Sequence, residues 1–408
     1  MKQVLKEHTK YLACIAAGLF SFYDLFLLSV FNVISSHLLQ AFNLSTTQLG
    51  LFSACFLITN AIGLVVLGMV LDRYSVRKVG LIFLSLATLS VFGFALSTSL
   101  AIDVILRSIQ GLASAASLLI CMRSATSWFK KQSGFAVGSM IAIAVGGGIL
   151  GNSVFAFLLH NFGWRNSLMI SGIIGLALLS FMYLFLYDRR DFSKEPAFIE
   201  KAFSLLTLKT AFSNTQNIIA GLYLGLMSTP IFVLAALWGN YYLINTYHIS
   251  SITAAGISSL FFIGMIVGSP CCGFIATNKT NPIKVMFLSC CFMLLLSILL
   301  FATKIELPVV SAVFFSLGFF SGAQNLAYSL IAETNPDKIA SIATAVAAVI
   351  LNGVGAITQF TFGWLLQIKT NQHEAGLILF PCAFGICFIL IFALKRYAAK
   401  GSQEAVTS

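Results

Sequence analysis

Long apolar runs separated by short polar segments make up almost the whole chain. A helix needs about 20 apolar residues to cross the hydrocarbon core of a bilayer. Twelve runs meet this length, and they lie at 11–37, 47–71, 79–98, 101–127, 134–160, 165–187, 217–245, 252–277, 283–303, 307–332, 339–367 and 375–397. The pattern predicts an all-α membrane protein with twelve transmembrane helices.

The composition narrows the classes of protein further. Of the 408 residues, 59% are hydrophobic and 9% are charged, which excludes soluble enzymes, nucleic-acid-binding proteins and secreted disulfide scaffolds. The net charge of +11 is spread thinly over the segments between spans, so it indicates no nucleic-acid partner. The nine cysteines fall in apolar runs, where we expect small buried side chains and neither disulfides nor a metal site.

The basic residues indicate the orientation of the chain in the membrane. With a cytoplasmic N-terminus, most of the 24 Lys and Arg residues lie in cytoplasmic segments, whereas the inverted topology reverses that bias. Lys2, Lys6 and Lys10 precede an apolar stretch that extends to about His37 without a small-residue cleavage signature, so we interpret it as a retained first span. We predict that both termini are cytoplasmic.

The polar segments divide the chain into two halves of six spans each. The longest polar segment, 188–216, is predicted to be a cytoplasmic linker. It joins an N-terminal six-helix bundle, 1–187, to a C-terminal six-helix bundle, 217–397, and a cytoplasmic tail follows at 398–408.

The two halves also share short sequence matches. At an offset of 205 residues, Phe-Asn-Leu-Ser at 42–45 aligns with Tyr-His-Ile-Ser at 247–250, and Gly63 aligns with Gly268. At an offset of 200, Phe-Gly-Trp begins at both Phe162 and Phe362. Several matches in order indicate a parallel duplication with pseudo-symmetric halves, and duplicated halves imply a site between them.

The segment between the second and third predicted spans carries a motif. From Gly68 to Lys78 it reads Gly-Met-Val-Leu-Asp-Arg-Tyr-Ser-Val-Arg-Lys, which resembles the signature loop of the major facilitator superfamily, Gly-x-x-x-Asp-Arg-x-Gly-Arg-Arg/Lys. Ser75 replaces the second glycine of that pattern, and Val76 replaces a basic residue. The resemblance implies the major facilitator fold and a gating loop whose matching residues are Gly68, Asp72, Arg73 and Arg77.

A closer resemblance is to the phagosomal nutrient transporters of intracellular bacteria. The residues that carry it are Phe-Tyr-Asp at 22–24, the segment 42–45 with Gln-Leu-Gly at 48–50, Leu-Asp-Arg-Tyr at 71–74 and Ser-Trp-Phe at 127–129. Those importers move amino acids or nucleosides, so the resemblance implies a small polar metabolite as the substrate.

An ionisable side chain within a span is costly and therefore marks a functional position. Asp24, near the middle of the first span, is the only acid that the sequence places deep in one, and desolvation there favours the neutral carboxyl. We expect Asp24 to carry a proton during alternating access; the alternatives are binding of a substrate amine or a fixed structural pair. Arg107, in the fourth span, suits Asp24 or a substrate carboxylate, and the family resemblance favours a role in proton coupling or packing.

Uncharged polar side chains in the second half are candidates for a substrate site. Spans seven, ten and eleven supply Asn240, Tyr241, Asn245, Gln324, Asn325, Tyr328, Asn352 and Gln359. An amide in such a helix holds helices together about as often as it binds a ligand. We select Gln324, Asn325 and Asn352 as substrate-binding residues, with Tyr23 and Trp238 as aromatic walls.

Glycines and prolines predict how some spans pack. The fifth span is smooth on one side and should contact a neighbouring helix closely, because it contains Gly138, Gly146, Gly147, Gly148 and Gly151. It contains no proline, which weighs against drug efflux, since exporting members of the superfamily carry a Gly-Pro element there. Kinks are predicted at Pro230, Pro270 and Pro381.

Together these features favour a secondary active transporter that imports a small polar metabolite by proton-coupled alternating access. The alternatives are a proton-driven exporter of a siderophore or drug-like molecule and, from another class, a nutrient sensor that binds without transport. No catalytic constellation or nucleotide-cradling glycine-rich loop is visible, so we expect neither an enzyme nor an ATP-driven pump. We expect no cofactor and no metal. The expected partners are a small-molecule substrate, protons and the lipid bilayer, and we expect a monomer in a bacterial inner membrane.

Overall fold

A computed structural model of the protein describes residues 2–129, 133–188, 205–278, 280–301, 306–368 and 375–407. All regular secondary structure in these ranges is helical. The first five helices are α1 (Lys2–Ala41), α2 (Thr46–Arg73), α3 (Val76–Leu96), α4 (Leu100–Trp128) and α5 (Ser133–Phe185).

The remaining helices follow residue 204. They are α6 (Leu205–Ser213), α7 (Thr215–Met227), a π-helix (Ile231–Trp238), α8 (Gly239–Tyr247), α9 (Ser251–Asn278), α10 (Pro282–Leu299), α11 (Leu307–Ser321), a 3₁₀ segment (Gly322–Asn325), α12 (Leu326–Thr334), α13 (Asp337–Ile368), a second 3₁₀ segment (Ala375–Ile378) and α14 (Leu379–Thr407).

The helices account for the twelve predicted spans. Ten helices in the described ranges are long and apolar enough to cross a bilayer, and the bent pair Thr215–Met227 and Ile231–Tyr247 adds an eleventh. One of the ten, Ala136–Phe185, has 50 residues and would extend about 75 Å, more than twice the thickness of a hydrocarbon core. Gly163, with φ 74° and ψ 163°, breaks this helix, and the break divides it into two spans.

The chain forms two compact units, Met1–Phe42 with Cys55–Ile199, and Asn43–Ala54 with Glu200–Ser408. In the first unit, α1 packs against α5, and α3 packs against α4 and α5. In the second, α9 packs against α11, α7 against α13, and α10 against α14.

The units differ in two details from the predicted boundaries. The first turns of α2, Asn43–Ala54, belong to the second unit, where the Thr46 hydroxyl donates to the Gly363 carbonyl at 2.7 Å. The predicted linker 188–216 contains the helix α6 and the start of α7, while residues 189–204 lie outside the described residues.

Local backbone conformation supports the predicted duplication. Asn43 and His248, which the offset of 205 aligns, both adopt the left-handed conformation, with φ of 49° and 53°. Two residues later, Ser45 accepts from the Gln48 N–H at 3.2 Å, and Ser250 accepts from the Thr253 N–H at 3.1 Å. Aligned residues therefore end one helix and cap the next in the same way.

The match at the offset of 200 has no structural counterpart. Gly163 separates the two spans of α5, whereas Gly363 lies inside α13. A Cβ atom at Gly363 would lie 2.4 Å from the Thr46 carbonyl oxygen, so this glycine serves close helix packing. The two Phe-Gly-Trp segments are thus alike in sequence and unlike in conformation.

The predicted smooth face of the fifth span is confirmed at two glycines. A Cβ atom on Gly147 would lie 1.9 Å from the Phe22 carbonyl oxygen, and one on Gly151 would lie 2.4 Å from that of Phe26. Gly138, in contrast, has no such neighbour within 4 Å. Gly147 and Gly151 therefore allow the backbones of α1 and α5 to approach closely, and this contact fixes the part of α1 that carries Asp24.

The predicted kink at Pro230 is also confirmed. The helical segments before and after it, Thr215–Met227 and Ile231–Tyr247, are bent by 42°. The second segment begins with a π-helix, in which the Phe232 carbonyl accepts from the Gln359 side chain at 2.9 Å. A neighbouring helix thereby supplies a hydrogen bond at the kink, as a membrane-spanning helix requires.

Candidate functional site

Asp24 lies at the centre of a polar cluster in the first unit. Its Oδ2 accepts from the Ser114 hydroxyl at 2.9 Å, and the Ser117 hydroxyl lies 3.3 Å away. The Asn60 amide of α2 in turn donates to the Ser114 oxygen at 2.6 Å. Helix α4 therefore holds Asp24, and a series of hydrogen bonds extends from Asp24 through Ser114 to α2.

Arg107 lies on the same helix as these serines and is almost fully buried, with 2% of its surface exposed. Its guanidinium lies between the rings of Phe31 and Phe56, with Cζ 4.2 and 4.4 Å from their centroids. Nη1 donates to the Gln110 side chain at 2.9 Å and lies 3.5 Å from the Leu27 carbonyl oxygen. This stacking suits the planar, delocalised cation of arginine.

One edge of the Arg107 guanidinium is unused. Nε and Nη2 are buried without a hydrogen-bond partner among the described residues. Asp24 interacts with Arg107 electrostatically, although the two make no direct hydrogen bond. Asp24 and Arg107 are thus close enough to attract each other, yet they do not form a hydrogen-bonded ion pair in this conformation.

Gly111 explains how α4 approaches α2 beside Arg107. A Cβ atom at this position would lie 2.2 Å from both the Phe56 carbonyl oxygen and the Thr59 hydroxyl. The backbones therefore touch, and the Phe56 ring is set against the guanidinium. Arg107, Gln110 and Gly111 thus each have a packing role in α4.

The α4 residues around Asp24 form a stripe that the prediction left incomplete. Gln110, Ser114 and Ser117, like Asn60 of α2, are not among the predicted site residues, yet all are buried and all belong to the cluster. Arg107, Gln110, Ser114 and Ser117 are separated by three, four and three residues, the spacing of one helix face. That spacing is visible in the sequence and would have identified them.

A small cavity adjoins Asp24. It measures about 10 Å³ and is lined by Phe20, Tyr23, Asp24, Leu27, Phe56, Ala87, Gln110, Ala113 and Ser114. A space of this size holds about one water molecule. Within the first unit, the carboxyl thus adjoins room for a proton donor or acceptor but not for a metabolite.

Replacing Arg107 tests the aromatic sandwich. Arg107→Lys keeps the charge but loses the planar stack on Phe31 and Phe56, so we expect a destabilisation of about 1–3 kcal/mol. Thermal unfolding of the purified protein measures this effect, with Arg396→Lys as the control because Arg396 is exposed on α14. Equal melting temperatures for Arg107→Lys and the wild type would show that the stacking contributes nothing.

The second unit has its own buried polar contacts, and one of them holds Trp238. This side chain is fully buried, and its Nε1 donates to the Gln359 carbonyl at 3.2 Å. The Ser228 hydroxyl donates to Oε1 of Gln324, and Ser258 donates to Oδ1 of Asn240 at 2.8 Å. Ser228 and Ser258 extend the predicted set, because each bonds a predicted candidate.

The other predicted substrate-binding residues have varied surroundings. Asn325 is exposed, and its amide lies 3.4 Å from the Ser269 hydroxyl. Asn352 donates to the Ala348 carbonyl of its own helix at 2.8 Å. Tyr23 is fully buried, and its hydroxyl donates to the Ser171 carbonyl at 3.0 Å. Tyr23 thus packs inside the first unit, where it lines the cavity beside Asp24.

The predicted gating loop connects α2 to α3. The side chain of Asp72 lies outside the described residues, and Arg73 is exposed. Ser75, which stands where the motif has glycine, caps α3 by accepting from the Lys78 N–H at 3.1 Å. The substitution therefore replaces a flexible residue with a helix cap.

A carboxylate from outside the motif holds this loop. Asp188 accepts from the Ser75 hydroxyl and from the Arg77 backbone N–H at 3.3 Å. The Arg77 side chain donates to the Tyr183 carbonyl at 2.7 Å and lies against the rings of Tyr183 and Tyr187. An acid at the N-terminus of α3 is favoured by the helix dipole, so Asp188 fixes the loop to the end of α5.

Gly68 and Arg123 meet at the other side of the loop. The Arg123 guanidinium donates to the Leu71 carbonyl at 2.6 Å, and its Nη2 lies 3.5 Å from the Gly68 carbonyl oxygen. Basic side chains near the end of a helix stabilise its unpaired carbonyls. Arg123 thus joins the end of α2 to α4.

A second acid lies within a membrane-spanning helix, although nearer the end of its helix than Asp24. Asp103, in the first turn of α4, is fully buried. The sequence places it at the edge of the fourth apolar run, where a carboxylate normally reaches water. Its burial depends on packing against α3 and α5, which the sequence does not display.

Two units of membrane-spanning helices, with an acid and a buried arginine inside the first, are typical of multi-pass transporters. A family model described as Major Facilitator Superfamily matches residues 14–359. The chain belongs to the major facilitator superfamily, and the predicted superfamily and fold class are confirmed. The narrower phagosomal family stays a prediction.

Known proteins with similar sequence or structure agree with this placement. The chain is 26% identical over 410 residues to the membrane sensor protein UhpC of Escherichia coli, a match that covers 92% of this chain and 89% of that protein. The nucleoside transporter NupG superposes with a TM-score of 0.71 at 16% identity, covering 94% and 98% of the two chains. A D-xylose-proton symporter superposes with a TM-score of 0.73 at 17% identity, covering 93% and 97%.

Proposed function

We propose that this protein imports a small polar metabolite, of the amino acid or nucleoside class, together with protons. The observation that carries the proposal is the arrangement of Asp24 and Arg107: an acid held by serine hydroxyls beside a buried cation with an unused edge. Asp24 can therefore lie in either of two environments, against the serine hydroxyls or against the unused edge of the Arg107 guanidinium. Its protonation state decides which of them is favoured.

The serines and the arginine respond differently to the proton. A hydroxyl donates to a carboxyl oxygen whether or not the acid is ionised, so Ser114 can hold Asp24 in both forms. Only the ionised carboxylate is strongly attracted to Arg107. Nε and Nη2 of Arg107 lie on one edge of the guanidinium, which is the geometry that a carboxylate accepts.

Protonation therefore changes the contact between two helices. Asp24 belongs to α1 and Arg107 to α4, so loss of the proton strengthens the attraction between these helices and gain of the proton weakens it. In the proposed cycle, Asp24 takes up a proton on the external side, substrate binding permits closure, and both are released in the cytoplasm. The proton gradient then drives accumulation of the substrate.

The second unit supplies the groups that we assign to the substrate. Gln324, Asn325, Asn352 and Trp238 remain our substrate-binding candidates, and Ser228 is added because it bonds Gln324. Amides and hydroxyls match the polar groups of amino acids and nucleosides. The resemblance to phagosomal nutrient transporters supports the same substrate classes and a bacterial inner membrane with both termini cytoplasmic.

Ligand-induced stabilisation followed by transport tests the proposal. The purified protein is heated with amino acids, nucleosides, sugars, organic acids and lipophilic drugs, because a ligand that binds the folded state raises the apparent melting temperature. We expect a polar metabolite to stabilise it and to accumulate in proteoliposomes under an inward proton gradient. Stabilisation by bulky lipophilic compounds alone, with transport in the outward direction, would replace import by export.

A sensor is the second candidate, and the similarity to the membrane sensor protein UhpC favours it. In this function the protein binds its ligand without carrying it across the membrane. The same stabilising metabolite would then bind to the reconstituted protein without entering the vesicles. Exchange of labelled substrate across the vesicle membrane distinguishes the two functions, because a carrier exchanges even without a proton gradient.

A further inference from the structure

Asp103 is a buried acid that the proposed mechanism does not use. It lies in the first turn of α4, one turn before Arg107, and 0% of its surface is exposed. Both of its carboxyl oxygens are buried without a hydrogen-bond partner among the described residues. An ionised carboxylate without donors is among the costliest groups to bury, and the cost falls sharply when it takes up a proton.

Nearby donors are committed to other acceptors. Arg165, in the part of α5 after Gly163, interacts electrostatically with Asp103. Its Nη1, however, donates to the Ala95 and Ser97 carbonyls at 3.0 and 2.5 Å, at the end of α3. In the part of the chain that the structure describes, the Ser97 hydroxyl is the one side-chain donor that acts on the Asp103 carboxyl, but it donates to the Ser99 carbonyl at 3.2 Å and makes no hydrogen bond of ordinary geometry to either carboxyl oxygen.

The helices packed against α4 carry few other titratable groups near this end. α1 contributes His37, and α5 contributes His160 and Arg165, whereas the charged side chains of α3, Arg77 and Lys78, lie at its opposite end. Of these, Arg165 is the one that acts on Asp103. Arg165 and the N-terminus of α4 both favour the anion, but neither offers it a hydrogen bond, and the desolvation of an unpaired buried ion costs more than a helix terminus contributes.

Asp103 begins the polar stripe that reaches Asp24. The residues Asp103, Arg107, Gln110, Ser114 and Ser117 follow one another at spacings of four, three, four and three and are all buried. Such spacing puts them on one face of α4. The stripe runs from the end of α4 that the basic residues predict to be external to the serines that hold Asp24.

We propose that Asp103 is a second proton-binding site, separate from Asp24, and that it carries a proton in this conformation. Neither carboxyl oxygen has a well-formed hydrogen bond among the described residues, and the complete burial of the side chain supports the same assignment. Its position on the stripe places it on the side from which protons enter during the proposed import. Proton binding by Asp103 does not depend on Asp24 being the carrier.

Infrared difference spectroscopy of the reconstituted full-length protein tests the proposal. A protonated carboxylic acid has a C=O stretch that is separate from the bands of an ionised carboxylate. We expect the difference spectrum between the wild type and Asp103→Asn, recorded at mildly acidic pH, to show the loss of one protonated-acid band, which shifts when the protein is transferred to D₂O. The same band should persist in Asp24→Asn.

Two further variants keep the result interpretable. Asp188→Asn is the matched control, since Asp188 accepts two hydrogen bonds and should lose only ionised-carboxylate bands. Asp103→Glu should shift the protonated-acid band without removing it, and it replaces Asp103→Asn if that variant fails to fold. Loss of ionised-carboxylate bands in Asp103→Asn, as in the control, would overturn the proposal and make Asp103 a fixed counter-ion of Arg165. The readout needs no transport, so failure of the proposed import would leave it unaffected.

Discussion

The Asp24→Asn variant is expected to exchange substrate but to lose accumulation against a gradient. Asparagine keeps an oxygen that accepts from Ser114 and Ser117, but it carries no titratable proton. A carrier that moves one proton with a neutral substrate accumulates it up to about tenfold per unit of pH gradient, because one unit corresponds to about 1.4 kcal/mol. Without the proton, the ratio of internal to external substrate should fall to about one.

The measurement is uptake into proteoliposomes with an imposed inward proton gradient, using the metabolite that the stabilisation panel identifies. Glu306→Gln is the matched control because Glu306 is an exposed acid, and its accumulation should equal that of the wild type. Asp24→Glu, which keeps a titratable carboxyl, should retain part of the accumulation. Full uphill uptake by Asp24→Asn would show that another group carries the proton, and loss of exchange as well would assign Asp24 to substrate binding or folding.

The helices could be predicted because a bilayer leaves the backbone few choices. Every peptide group in hydrocarbon needs a partner within its own segment, so a long apolar run must be helical. The duplication could be predicted because it rests on local sequence. Asn43 and Ser45, like His248 and Ser250, end one helix and cap the next within a few residues, so their structural role follows from their immediate neighbours.

The sequence alone did not indicate which residues far apart in the chain contact each other. Asp188 holds the loop at Arg77 although 111 residues separate them, and nothing in the signature motif indicates that partner. Asp103 follows the third apolar run by only a few residues, whereas Arg165, the basic residue that acts on it, lies beyond the whole of the next span. Motifs identify residues that act with their neighbours in the chain, whereas buried charges depend on packing between helices.

The polar stripe of α4 is an intermediate case. Its spacing of three and four residues was present in the sequence, but serine is common in membrane helices as a small packing residue. Only the contact with Asp24 separates Ser114 and Ser117 from the other serines of the chain. An acid placed deep in a span should therefore prompt a search for hydroxyls at helical spacing in the spans around it.

The contact between α1 and α5 should be the part of the first unit that is most sensitive to a single added methyl group. In Gly147→Ala, the new Cβ atom would lie 1.9 Å from the Phe22 carbonyl oxygen, and neither backbone can move without disturbing the helix. Overpacking of this kind costs about 1–3 kcal/mol. Because Phe22 precedes Asp24 by two residues, we expect both a lower melting temperature and a loss of proton-driven uptake.

Gly138→Ala is the matched control, since it makes the same change in the same helix where no atom lies within 4 Å. Alanine is a better helix former than glycine, so this variant should be as stable as the wild type or more stable by up to about 1 kcal/mol. Thermal unfolding and uptake of the two variants separate packing from helix propensity. Equal stability of Gly147→Ala and Gly138→Ala would contradict the close approach of α1 to α5, and with it the fixed position of Asp24 beside Ser114.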